Sequence, residues 1–317
     1  MSQAQVDRIW SAWRKEGKDR IFHSQFKPKP ERAVENMTMY EYKYFSSGSR
    51  YLAWKTRIPT TIHQTYKTAA RDKIEPSRLA YMDTWITMNR GFQYRLWTDS
   101  EMWSFVTTFY PRRIQKAYDK LPMIVQKSDF FRYLVLYKYG GYYTDTDTRC
   151  ARHVNWWRMD HETDDVEFIA GLEWYIAPPD FPDTPISITN WAFASAPGHV
   201  VLNRTVEAIT HRVLTATAKE LRDVTNVVEV TGPLQFTKII LQYLSDKGWG
   251  YATLQAALKE GEAVFFKEGG VLLLPPVAFN PGSFQPNTTV RDVRTVLYHE
   301  FAGNTGWKKE VGKSSWI

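Results

Sequence analysis

One stretch, LPMIVQKSDFFRYLVLYKYGGYYTDTDT from Leu121 to Thr148, constrains the fold more than any other. Pro122 can start a helix, and the apolar residues after it recur at helical spacing. Gly140 can adopt the left-handed conformation that stops this helix, and "YYTDTD" then reads as a strand. That strand runs into Asp145 and Asp147, one residue apart, in a chain whose formal net charge is +7.

The flanking sequence supplies partners for both elements. "RIPTTIHQTYK" holds a β-rich run over Thr60 to Gln64, and "FQYRLWTD", Phe92 to Asp99, reads as a second strand with the helix "EMWSFVTTFYP" after it. "VEFIAGLEW" and "NWAFASA" read as strands, helical runs cover about 200–215 and 233–245, and "GGVLLLPPVAF" and "RTVLYHEF" follow. Strands alternating with helices from residue 58 onward predict a layered α/β domain with a mostly parallel sheet. Val6, Ile9, Trp10 and Trp13 share one helix face before "KPKPER" breaks the pattern, so residues 1–54 read as a stem or helical leader to a domain over 55–317.

Composition removes several classes. A single cysteine, Cys150, rules out an intramolecular disulfide and a multi-cysteine zinc site. No apolar run reaches the ~18 residues of a membrane-spanning helix. Lys and Arg are scattered without a nucleic-acid-binding signature, so the positive balance suits an anionic small molecule rather than nucleic acid. Aromatics at 15% suit stacking or sugar-contacting surfaces as well as a core. Sequons at Asn36, Asn203 and Asn287 fit a secretory-pathway protein.

In an extended segment residues i and i+2 share a face, so Asp145 and Asp147 are expected to project together with Tyr143 beside them. Two adjacent carboxylates repel unless a cation or a buried proton intervenes, and hard oxygen ligands favour Mg²⁺ or Mn²⁺ with positions left for phosphate oxygens. An Asp-x-Asp is also common in surface turns, so its spelling is tested against rivals. An EF-hand loop starting at Asp145 would need Gly and Glu where Cys150 and Trp156 stand, and the aspartyl phosphatase pattern needs Thr or Val at Arg149. No GxGxxG, GxxxxGK[ST], HExxH or GxSxG occurs. On the preceding helix Asp129 and Arg132, three apart, share a face. They can form a plain surface ion pair, or Arg132 can reach a diphosphate while Asp129 accepts hydrogen bonds from sugar hydroxyls.

Read together, "IPTTIHQTYK", "YRLWTD", "KSDFFRYLVLYKYGGYYTDTDT", "NWAFASAPGHVVL", "VTGPLQFTKII", "VLLLPPVAFNPG" and "YHEFAGNTGWK" resemble glycosyltransferase family 32, in particular its fungal initiating α-1,6-mannosyltransferases. The resemblance covers about residues 58–308. It implies a GT-A fold with the Asp-x-Asp at a strand end, and a retaining, Mn²⁺-dependent (Mg²⁺ also suitable) transfer of mannose from GDP-mannose to an N-glycan mannose. It further implies residence in the Golgi lumen as a type II membrane protein, with the anchor outside this sequence. Carried over by position, Asp147 looks like the direct metal ligand, with His299 of "YHEF" joining it. Asp145 looks like a contact to ribose, sugar or the metal shell, and Asp129 and Arg132 like the sugar- and phosphate-facing pair. Trp307 and Lys308 look like a C-terminal lid. Thr231 and Gly232 look like a helix start facing an anion or sugar. Ile62, His63 and Gln64 look like the nucleotide cradle. Tyr142 departs from the family, which more often has an aliphatic residue there. Two other hypotheses stay open at this point: another sugar nucleotide or an inositol phosphoceramide acceptor on the same fold, or a non-catalytic carbohydrate-binding scaffold.

Overall fold

A seven-stranded mixed sheet organises the computed structural model, which describes residues 57–159, 165–174, 186–259, 261–279, 281 and 292–301. The leader over 1–54, Trp307, Lys308 and the sequons at Asn36 and Asn287 lie outside the described residues. The strands are β1 Thr61–Thr65, β2 Gln93–Trp97, β3 Gly141–Thr144, β4 Thr148–Cys150, β5 Phe168–Trp174, β6 Ser187–Ser195, β7 Val264–Phe266, β8 Val271–Leu274 and β9 Leu297–His299. Seven of them form the order β2-β1-β3-β6-β5-β8-β7, while β4 and β9 make a separate antiparallel ribbon.

The expected parallel majority does not appear: β1 pairs in parallel with β2 and β3, and β5 with β8, but β6 runs against both β3 and β5, and β7 against β8. An apolar strand reads the same in either direction; its connection decides. Between β7 and β8 the chain reverses through the short turn Lys267–Gly269, closed by Gly270 in the left-handed region, and so tight a link allows only antiparallel pairing.

Helices flank this sheet: α1 Pro76–Met88, α2 Asp99–Phe109, α3 Arg112–Lys120, α4 Ile124–Tyr139, α5 Val200–Thr215, α6 Ala218–Arg222, α7 Val224–Val230, α8 Pro233–Asp246, α9 Tyr251–Lys259 and α10 Pro276–Phe279. Thr98 and Glu101 cap the start of α2 reciprocally, so its orphan amides are satisfied locally. Helix α4 starts at Ile124, two residues beyond Pro122, and is buried continuously from Asp129 to Leu136.

Gly140 and Gly141 end α4 in a way that fixes the site. Gly140 has φ +65° with ψ −164°, which is not the left-handed helical cap expected but an extended positive-φ state that essentially only glycine adopts. Gly141 has φ +101°, and a Cβ there would stand 2.5 Å from the Thr61 carbonyl oxygen. Two missing side chains therefore let β3 lie directly against β1. Below the sheet, Trp85, Trp157, Tyr142, Trp191 and Phe279 pack with Ile62, so these aromatics fill the core; Trp103 and Trp156 are exposed.

Candidate functional site

The ladder of β3 continues one residue past its end, where the Asp145 amide donates to the Trp191 carbonyl at 2.8 Å. The chain then turns. The Thr148 amide and hydroxyl both donate to the Asp145 carbonyl, at 3.1 and 2.6 Å. Gln64 on β1 pins the turn from the other side, its Nε2 donating to Thr144 Oγ1 at 2.9 Å and to the Asp145 carbonyl at 3.2 Å. Residues 145–147 are thus not extended, and the expected common face for Asp145 and Asp147 is lost. The turn aims the two carboxylates at different partners.

Asp145 joins the α4 pair. Its Oδ1 accepts from Arg132 Nη2 at 3.0 Å and from the Tyr143 hydroxyl at 2.9 Å. The same Nη2 lies 2.9 Å from Asp129 Oδ1, and Arg132 Nη1 donates to the Asn190 carbonyl at 3.0 Å. Arg132 is almost fully buried, yet its charge is neutralised from two sides. Asp129 also accepts from Thr231 Oγ1 at 3.1 Å and Asn190 Nδ2 at 3.4 Å. Burial pushes Asp129 up to about 7 even though Arg132 opposes the shift. Burial raises Asp145 as well, against the pull of Arg132.

Asp147 faces the other way. Its Oδ1 lies 3.5 Å from His299 Nε2, which β9 delivers because Thr148 pairs with His299 in the ribbon. Trp191 stacks on one side of that imidazole, centroids 4.3 Å apart, and Phe301 lies against it at 4.1 Å. Burial opposes ionisation of Asp147, but His299 and Arg78 overcome it and hold the carboxyl down to about 2. Among the described residues no three His, Cys, Asp or Glu side chains form a ready metal cage. A carboxylate and an imidazole facing each other are, however, an open donor pair of the type that suits Mn²⁺ or Mg²⁺ and leaves positions for phosphate oxygens. The residues fit the ion.

The remaining sequence-derived positions divide. Gln64 reaches the turn. Ile62 packs in the core, and both His63 ring nitrogens are engaged inside the protein. His63 Nδ1 accepts from Trp97 Nε1 at 3.1 Å and Nε2 meets the Gly140 carbonyl at 3.2 Å. The Thr231 and Gly232 amides both donate to the Val227 carbonyl, so neither is open to an anion; Thr231 serves the site through Asp129 instead. Reading the sequence missed Asn190, although a polar residue inside the fully buried strand β6 had to find partners and so carried a signal. It also missed Arg78 on α1, which donates to Thr146 Oγ1 at 3.0 Å and for which no motif speaks.

Residues 76–164, from α1 through the whole turn, match the family described as a glycosyltransferase sugar-binding region containing a DXD motif. A glycosyltransferase sugar-binding region of the DXD type is thus present within residues 76–164. The initiation-specific alpha-1,6-mannosyltransferase of Schizosaccharomyces pombe is 30% identical over 267 residues, 80% of this chain and 64% of that protein. The protein of the same name from Candida albicans is 26% identical, with 95% of this chain and 83% of the relative covered. Inositol phosphoceramide mannosyltransferase 3 of Schizosaccharomyces pombe is 35% identical over 114 residues, 36% of this chain and 29% of its own length. The chain spans less than two thirds of the length of the first of these relatives. Its flanked mixed sheet, with the Asp-x-Asp at the end of β3, is GT-A-like.

Proposed function

We propose that this domain is a retaining mannosyltransferase that moves mannose from GDP-mannose to a mannose hydroxyl of an N-glycan in the Golgi lumen, residues 1–54 forming a stem outside it. One observation carries the reading: the Asp147–His299 donor pair and the Asp129–Arg132–Asp145 cluster flank a single turn inside the DXD-type sugar-binding region. The names of the relatives support mannose as the sugar. Mn²⁺ (or Mg²⁺) held by Asp147 and His299 would supply Lewis-acid stabilisation of the departing diphosphate.

The protein's own groups do the rest. Asp145, its side chain still 26% exposed, receives ribose or sugar hydroxyls, while Arg132 holds it beside the buried Asp129, whose oxygens are taken by Arg132, Asn190 and Thr231. The acceptor hydroxyl attacks the anomeric carbon from the face the diphosphate leaves, the bond to phosphate breaks, and the hydroxyl proton passes to the departing phosphate oxygen. This route needs no protein nucleophile. A second acceptor, inositol phosphoceramide, is favoured by the third relative over its shorter span.

Donor turnover measured with Mn²⁺ over a panel of GDP- and UDP-sugars tests the proposal. GDP-mannose should be turned over fastest, and Asp147→Ala should reduce that rate by about 100-fold or more. Undiminished turnover by Asp147→Ala defeats it. Acceptor trials with a mannose oligosaccharide and with an inositol phosphoceramide separate the two acceptors.

A further inference from the structure

The arginine expected to meet the leaving diphosphate is already spent on protein groups. Arg132 gives Nη2 to Asp129 and Asp145 and Nη1 to a backbone carbonyl, and it is only 4% exposed. A guanidinium between two carboxylates presents little net positive charge to a ligand. The opposite flank of the turn holds a different cation. Arg78, in the first turn of α1, donates Nη1 to Thr146 Oγ1 at 3.0 Å, on the residue between the two aspartates. Its guanidinium lies 5.6 Å from the centre of the Tyr66 ring, just past the end of β1. It is half-buried, and among the described residues its hydrogen-bond partner is this neutral hydroxyl rather than a carboxylate. With three carboxylates crowded about this turn, a cation not already bridging two of them is the one free to face an incoming diphosphate.

We propose that Arg78 binds the diphosphate of the sugar nucleotide from the Asp147 side of the turn, as a binding residue separate from the buried Arg132. This rests on the glycosyl-transfer reading above. A guanidinium held at one nitrogen by a neutral hydroxyl keeps its remaining N–H groups for charge-assisted bonds to phosphate oxygens, which are the stronger kind.

The test is calorimetric titration of GDP, and separately of inorganic pyrophosphate, into the full chain with saturating Mn²⁺. Arg78→Gln should weaken both ligands by about tenfold or more, and by a similar factor, because the lost contact is to the diphosphate rather than the base. Arg78→Lys should recover part of the loss, and Thr146→Val, which removes only the hydroxyl anchor, should bind GDP nearly as the parent does. Parent-like GDP affinity in Arg78→Gln overturns the assignment, including the case in which that variant shows only a raised KM for a phosphate-bearing acceptor. A loss in Thr146→Val equal to that in Arg78→Gln also overturns it, since Arg78 would then merely hold the turn. Those two results leave the glycosyltransferase reading intact. A parent chain that binds neither GDP nor UDP with Mn²⁺ overturns that reading and the Arg78 role together.

Discussion

Arg132 illustrates how much one buried side chain settles. Its fork holds Asp129, three residues back on the same helix, and Asp145, beyond the end of the next strand. Removing it leaves two carboxylates facing each other in a low-dielectric interior. Arg132→Ala is therefore expected to destabilise the domain by about 3–5 kcal/mol, measured by denaturant unfolding, with Arg132→Lys recovering only part because an ammonium cannot bridge both partners in the same plane. The Asp129–Arg132 proximity was legible from helical spacing alone. The divergence of Asp145 and Asp147 was not, because the i, i+2 rule presumes an extended chain and Thr148 closes a turn instead. Arg78 was illegible for a simpler reason: its contact with Thr146 crosses 68 positions and no local pattern announces it.

At the scale of elements, the link between α4 and β3 depends on glycine twice. Gly141→Ala would place a methyl group 2.5 Å from the Thr61 carbonyl oxygen at φ +101°, so β3 must move away from β1. The expected cost is about 2–3 kcal/mol or more, read as a lowered Tm, together with weaker Mn²⁺-dependent GDP binding as the turn shifts. The positions of most strands and long helices followed from apolar runs and their breakers. Strand direction did not, since periodicity carries no sign, and the antiparallel setting of β7 emerges from its short connection to β8. A second element-level expectation concerns Trp191, whose ring supports His299. Trp191→Leu should weaken Mn²⁺ binding about tenfold, by analogy with the loss of other groups that orient a metal ligand, as followed by Mn²⁺ titration under conditions where the variant is fully folded.

For the whole molecule, the buried histidines set the response to acid. Burial, with Arg95 adding to it, pushes His63 down to about 3 from its ordinary 6.5, and burial lowers His199 to about 4. In both cases the unfolded chain takes up a proton first as pH falls. Their contribution is thus fully present above the unfolded pKa of about 6.5 and is lost progressively toward the folded values. Asp129, pushed up to about 7, contributes the opposite slope, so the histidine term is best read as a difference. His63→Gln should lower stability at pH 7 and flatten the dependence between about pH 5.5 and 4, by about 1.4 kcal/mol per pH unit relative to the parent, in unfolding experiments across that range.

The ribbon of β4 and β9 ties positions 148–150 to 297–299, and the Glu300 amide adds a bond to the Asp147 carbonyl. Late sequence is thereby stitched to the middle of the molecule. A chain cut after Thr295 would keep every strand of the seven-stranded sheet yet lose one of its two proposed metal donors, so a shortened form that folds well is expected to be blind to manganese.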